Sequence, residues 1–374
     1  MKINRGSVLV IGLALLAFMT AAEASAQVKW KGTVVKEGGV TVVRNPKEPL
    51  YKTLVLELKE DLSLGGPEAQ GDYAFSQIRT FIVDDAGSIY VLDQQSSHVK
   101  VFDASGKYLR TIGRQGQGPG ELDRPRMLSI NRVRGEISVL ELSRRMSFFK
   151  LDGTFLRHVS FKEIWALYGH VDSKGHIYVT EGIVEEKDPR YEVKMLGPDA
   201  SLIAMLARSP APVRHGGRLT AFTAIGYFVV DGDDHLVYGY PLTYEIQYFG
   251  PASPELFKKV TREYDPVAIT EEEKREREKD VQPNSGLVLD FPKYHAAYYR
   301  FFLSDLGHVF VQTWEKTKDG KSIHDIFDAE GRFIGRVPLK PSGVEILKGK
   351  YYALEEDEDG YQTVKRYAVT WTVK

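Results

Sequence analysis

The sequence contains no cysteine. Cysteine nucleophiles, thiolate metal sites and iron–sulfur clusters are therefore excluded, and so are disulfides and the lipidated cysteine of a bacterial lipoprotein. Charge of one sign is lacking too: 50 Lys+Arg face 51 Asp+Glu, a formal net charge of -1. No global positive field exists to gather phosphate backbones, so nucleic acid is not an expected partner. Long apolar runs are confined to the N-terminus. Val8 to Phe18 is apolar but shorter than the ~20 residues a spanning helix needs. Lys2 and Arg5 precede it, and Ala24-Ser25-Ala26 follows with small residues at the cleavage positions. This is the pattern of a secretory signal over residues 1–26. The mature chain is expected to start near Gln27 and to be periplasmic or secreted, with no membrane span after cleavage.

What is abundant is repetition. The clearest unit runs from Phe81 to Gly113. Four short apolar runs are separated by turns at Asp84-Asp85-Ala86-Gly87, Gln94 to Ser97, and Ala104-Ser105-Gly106. Val99, Val101 and Phe102 alternate with polar neighbours, as a strand requires. Glycine after Asp or Ser supplies the positive φ of a tight hairpin. Four antiparallel strands in a row make a propeller blade. Comparable units occupy Leu128 to Phe161, Tyr168 to Leu206, Tyr227 to Val260 and Phe301 to Leu339. A sixth has only three strands after Val344. Its missing outer strand is expected from Thr53 to Leu58, because Leu64-Gly65-Gly66-Pro67-Glu68 resembles the Gly-rich crossing after the first full unit. The fold class expected is therefore all-β: a six-bladed β-propeller over residues 53–374, closed by strands from both chain ends.

Two stretches fall outside the repeat. Residues 27–52 read as a hairpin and lead-in, with Glu37-Gly38-Gly39 as the turn. Residues 254–292, between blades four and five, read as a partly helical insertion. There Glu271 to Lys279 has no apolar residue, Thr270 can cap its start, and acids precede bases as a helix dipole favours.

The pattern D-x-x-G-x-I-Y-V-x-D, then V-x-V-F-D-x-x-G-x-x-L-x-x-I-G, then G-x-G-P-G-E resembles NHL repeats. It is carried by Asp84 to Asp93, Val99 to Gly113 and Gly118 to Glu121. The arrangement, together with Phe291-Pro292-Lys293-Tyr294-His295 and Val311-Gln312-Thr313-Trp314-Glu315, is similar to exported bacterial six-bladed propellers. The resemblance implies fold and export, not chemistry, because propellers host many activities. In enzymes of this shape it implies a site at the mouth of the central channel.

Catalytic signatures are missing: no HExxH, no EF-hand spacing, no His-x-His and no G-x-S-x-G occurs. His176, His235 and His308 share one repeat position after the first turn of blades three to five. Three such histidines could ligate a metal, but the same position holds Ser88, Glu136 and Lys350 in other blades, so no metal ligand, cofactor or catalytic residue is assigned. The expected ligand-binding residues are Arg79, Arg126, His170 and Tyr299, where connections enter the inner strands, and Trp314, which ends the second strand of blade five. Arginines and aromatics at a concave mouth suit a small polar or anionic ligand through forked hydrogen bonds and stacking. The sequence thus points to an exported binding or interaction module, holding such a ligand or a protein partner at the channel face. The alternatives are a propeller hydrolase or lyase, acting with or without a metal on a sugar lactone, glycan or peptide derivative, and a structural partner that docks through the inserted helix.

Overall fold

The computed structural model describes residues 29–373, apart from 186, 213, 252, 283–284 and 341–342. The signal segment expected at 1–26 lies outside the described residues. The chain forms the expected six-bladed, all-β propeller. Blades one to three span 78–112, 125–160 and 166–210, and blades four to six span 227–262, 300–339 and 343–373. Within each blade the strands run antiparallel from the innermost outward in chain order, except that the outermost strand of blade six comes from the N-terminal segment and the sheet of blade four is extended by two N-terminal strands. One α-helix occurs among the described residues, Glu271–Lys279 (α1), between the outer strand of blade four and the inner strand of blade five.

The local cause of each blade is a turn in which one aspartate holds the hairpin. Asp84 Oδ1 accepts from the backbone N–H of Ala86 (2.9 Å) and of Ser88 (2.7 Å). Gly87 closes the turn at φ 83°, a conformation that costs a residue with a Cβ. Asp172 and Asp231 repeat the arrangement in blades three and four. The three histidines at one repeat position take part in this motif. His176 Nδ1 meets Asp172 at 2.8 Å, His235 Nδ1 meets Asp231 at 2.9 Å, and His308 Nδ1 reaches Ser304 at 3.4 Å. Each closes its own turn, and the three do not converge.

The core is not central. Apolar side chains form six clusters, one in each seam between neighbouring blades. Between blades one and two, for example, Leu92, Val99 and Val101 pack against Ile130, Ile137 and Val139. Second strands are covered on both faces, so Ile89–Asp93 is buried throughout. That is why these strands read as continuous apolar runs, while outer strands alternate.

The first strands of the chain are Thr33–Glu37 (β1), Val40–Asn45 (β2) and Leu54–Gly65 (β3). β3 closes the ring. It pairs antiparallel with Gln362–Val373 from Gly65↔Thr363 to Leu54↔Val373, longer than the expected 53–58. Arg366–Asp61 (2.6 Å) and Lys365–Glu60 (3.0 Å) flank the pairing. β1 and β2 form an antiparallel hairpin, and β2 adds parallel to Leu256–Arg262, the outer strand of blade four. That strand takes the residues after 255, so the insertion begins after Arg262 rather than at 254. The blade-four unit expected from Tyr227 to Val260 already overlapped the expected insertion, and the outer strand resolves the overlap in the blade's favour.

Asn45 fixes the hairpin. Its Oδ1 accepts from Trp30 Nε1 (3.0 Å) and Phe333 N (2.7 Å), and its Nδ2 donates to Thr261 O (3.1 Å) and Gly331 O (2.9 Å). One buried amide thus uses its full bonding capacity to join β2, blade four and blade five. Replacing it leaves buried partners unpaired, so Asn45→Ala is expected to cost about 3 kcal/mol in chemical denaturation. A chain that starts at Gly66 loses the strand paired with 362–373. It should lose the cooperative unfolding transition of the full chain in calorimetry, whereas a chain starting at Leu50 keeps one.

Candidate functional site

The channel between the inner strands is narrow, with a cavity of about 230 Å³. Its ionised groups are spent on one another. Arg132 donates to Val83 O (2.8 Å) and pairs with Glu345 (2.7 Å) and Asp85 (3.2 Å). Burial pushes the Glu345 carboxyl up, and Arg132 pulls it partly back. His170 lines the same channel. Enclosure, then the positive charge of Arg132, hold its pKa down to about 4. Among the described residues, no group of three or more His, Asp or Glu side chains is arranged to hold a metal.

The larger concavity lies off the axis, over blade five. Two cavities of about 1140 and 500 Å³ share Phe222, Arg277, Tyr299 and Trp314 in their walls. Their roof comes from two connections outside the repeat. The segment between blades three and four contributes Arg218–Thr220, which pairs parallel with Val288–Asp290 of the insertion; Arg218 and Asp290 form an ion pair across it. The insertion also contributes α1.

α1 has no buried residue, and a nine-residue helix is marginal alone. Local chemistry and one anchor hold it. Thr270 Oγ1 accepts from Glu273 N (3.2 Å), and Glu273 Oε2 accepts from Thr270 N (2.9 Å), a reciprocal cap. The other carboxylate oxygen, Glu273 Oε1, meets His295 Nε2 at 3.2 Å. Burial works to raise the Glu273 carboxyl, but hydrogen bonds from Thr270 and His295 outweigh it and leave it lowered. Burial also lowers the His295 pKa, so the ring is neutral near pH 7. Its Nε2–H donates to Glu273, which leaves Nδ1 with a lone pair. The ring stacks on Trp314, centroids 4.0 Å apart and planes 8° apart.

Trp314 reaches the cleft because its strand bulges. Gln312 pairs with His324 and Lys316 with Ser322, so three residues, 313–315, face one. Thr313 Oγ1 pins the bulge by donating to Ile323 O (2.9 Å). Tyr299 meets Trp314 edge-on at 5.2 Å. Phe222 packs edge-on against Trp314 (5.9 Å) and His295 (5.0 Å) with φ 55°, a strained conformation for a bulky residue. Trp314 Nε1 and His295 Nδ1 are buried without a hydrogen-bond partner.

Of the five expected site residues, Tyr299 and Trp314 meet in this cleft. His170 lies apart from it, in the channel wall. Arg79 and Arg126 line neither concavity. Both are the extra residues of bulges at the entry to inner strands, where Ile78 and Thr80 pair with Asp93 and Leu92, and Pro125 and Met127 with Glu141 and Leu140. Arg79 is exposed and Arg126 half-buried. Sequence reasoning missed Phe222 and Arg277 as wall residues and His295 as the brace behind the wall. Phe222 sits in a connection with no repeat character, and Arg277 read only as part of a solvated charge run. His295 was visible solely within the Phe291 to His295 stretch.

Comparison with known proteins agrees with this architecture. The family described as a 6-bladed beta-propeller, DUF5128, matches residues 68–209, the first three blades. No curated protein matches the sequence. Among solved structures, a presumptively exported protein of Bacteroides fragilis NCTC 9343 aligns over 89% of this chain and 100% of its own, at TM-score 0.55 and 11% identity. A member of the DUF4221 family from Bacteroides vulgatus ATCC 8482 aligns over 85% and 99%, at TM-score 0.54 and 10% identity. At such identities the likeness is one of fold.

The buried histidines set a pH dependence. His324 is enclosed in blade five and, like His170, has a pKa held down to about 4 by burial. In the unfolded chain both titrate near 6.5. Below pH 6.5 the unfolded state binds protons that the folded state refuses, so stability is full above that pH and falls toward pH 4. Each histidine accounts for about 1.4 kcal/mol per pH unit in this window. Urea unfolding at pH 7.0 and 4.5 should show His170→Gln losing about 2 kcal/mol less than the wild type over the interval.

Proposed function

We propose that the protein is an exported, NHL-like propeller that acts as a binding module rather than an enzyme, with its ligand seated against Trp314 and Tyr299. The observation that carries this reading is the convergence of two cavities on one aromatic wall, Phe222, Tyr299 and Trp314, with Arg277 at the junction. Aromatic faces beside a charged group suit a small polar or anionic ligand. Strain at Phe222 supports it, because a bulky residue held at positive φ marks a position kept for what its side chain does. Arg79 and Arg126, whose side chains form no ion pair or hydrogen bond with other described residues, add positive charge at the inner-strand entries of blades one and two, which can steer an anion from a distance. His170 lines the channel wall. Location outside the cytoplasm is supported by the signal-like N-terminus and by the presumptively exported Bacteroides fragilis neighbour.

Binding is preferred to hydrolysis or elimination on the state of the channel. Its Arg132, Asp85 and Glu345 neutralise one another, and the unpartnered groups of the cleft, Trp314 Nε1 and His295 Nδ1, are buried behind its wall rather than presented as a nucleophile with a base.

The test is a thermal-shift screen of the mature protein with mono- and oligosaccharides and small organic acids, followed by titration of any hit against variants. Trp314→Ala is expected to weaken the hit at least tenfold, Phe222→Gly to weaken it while leaving the melting temperature near that of the wild type, and Arg79→Ala/Arg126→Ala to reduce mainly the association rate. A hit whose affinity ignores Trp314→Ala but is lost in His170→Gln would move the site to the channel and overturn the assignment.

A further inference from the structure

The two lobes of the cleft differ in character. The smaller lobe is apolar, walled by Leu219, Ala221, Ile225, Pro241, Leu289 and Ala296. The larger is ionic. Its acids include Glu273, Glu276, Asp280 and Glu315, but each of these already has a partner: His295, Lys279, Arg277 and Arg336 respectively. What remains uncommitted among the charged walls is Glu272 against Lys316 and Lys318, whose side chains form no ion pair or hydrogen bond with other described residues. Arg277 is the charged residue common to both lobes. Its one ion pair, with Asp280 at 2.9 Å, is exposed on both sides, and pairs of that kind hold little free energy and exchange readily.

Resting on the binding assignment above, we infer that the cleft takes an amphipathic anion: an apolar body in the Leu219/Ile225/Leu289 lobe and one carboxylate or phosphate at Arg277, assisted by Lys316 and Lys318. The aromatic wall of Tyr299 and Trp314 lies between, where the apolar body leaves the small lobe. Guanidinium recognition of a carboxylate or phosphate is bidentate and directional, so Arg277 fixes the head while the lobe selects the tail. Of the acids here, Glu271 and Glu276 are paired with Lys274 and Lys279, and Glu273 is held by His295, so Lys316 and Lys318 offset Glu272 and the Asp280 that Arg277 releases. Carboxylate and phosphate heads share this chemistry, and the experiment separates them.

The experiment is calorimetric titration of the mature protein with n-alkyl carboxylates and n-alkyl phosphates of increasing chain length, below their aggregation concentrations. Matched n-alkanols, n-alkylamines and uncharged oligosaccharides are run beside them. The expected result is binding of one anionic series, with affinity rising about fourfold per methylene buried until the lobe is full. Matched alcohols should bind at least tenfold more weakly, and affinity for the anions should fall with salt. Which series binds more tightly identifies the head group. Arg277→Ala/Lys316→Ala/Lys318→Ala, at three exposed positions, should cost the anions tenfold or more and the alcohols less than twofold. Alcohols or amines that bind as well as the anions would overturn the inference. Oligosaccharides bound through Trp314, without response to any anion, would also overturn it yet leave the binding assignment standing. Silence from every series would count against both.

Discussion

The structure depends on closure of a circle. Six wedge-shaped seams have to share one angle, and no seam is complete unless the last blade meets the first. The pairing of β3 with Gln362–Val373 does this with strands from opposite ends of the chain. It removes the free sheet edge that an open ring would expose there. It also makes the seams mutually dependent. Leu64 in β3 packs with Phe81, Val83 and Val91 of blade one, while Leu54 in the same strand packs with Phe310 and Val337 of blade five. One strand therefore belongs to the seams on both sides of blade six. The hairpin of β1 and β2, held by Asn45, ties the preceding segment to blades four and five. The N-terminal lead-in thus spans half the ring before closing it.

Inside that frame the blades differ little, and the differences carry the chemistry. The Asp-held hairpin recurs with small changes, so the channel inherits near-sixfold repetition and its charges cancel around Arg132. The departures from repetition are the connection after blade three, the insertion after blade four and the bulge at 313–315. All three meet at one place. Their convergence builds a cleft off the axis, walled by aromatics from separate segments and bridged by Glu273 and His295. A repeat protein makes a specific site where repetition stops, because a symmetric surface offers no single asymmetric pocket.

The sequence carried the repeat and its turns openly, because hairpin chemistry is local: Asp84, Gly87 and Ser88 make their contacts within five residues of chain. The split sixth blade was legible for a similar reason, since Gly65-Gly66-Pro67 copies a neighbouring crossing. Tyr299 and Trp314 were legible as aromatics near an inner strand, although what brings them together is a bulge that propensity does not signal. The insertion starts later than the expected 254, because that range overlapped an outer strand that runs to Arg262. His295 and Glu273 stand 22 residues apart, and nothing short-range announces their bond.

By itself, then, the sequence determined the turns, the number of blades, the identity of the closing strand and the capped helix, since each rests on contacts between near neighbours or on a pattern repeated many times. Tertiary structure alone decided which histidines serve turns and which braces a helix. It alone left Arg79 and Arg126 outside both concavities and Trp314 in a cleft. Those outcomes depend on distances between segments far apart in the chain. The seams set such distances through the packing of six apolar wedges, and no local pattern encodes the angle at which two blades meet.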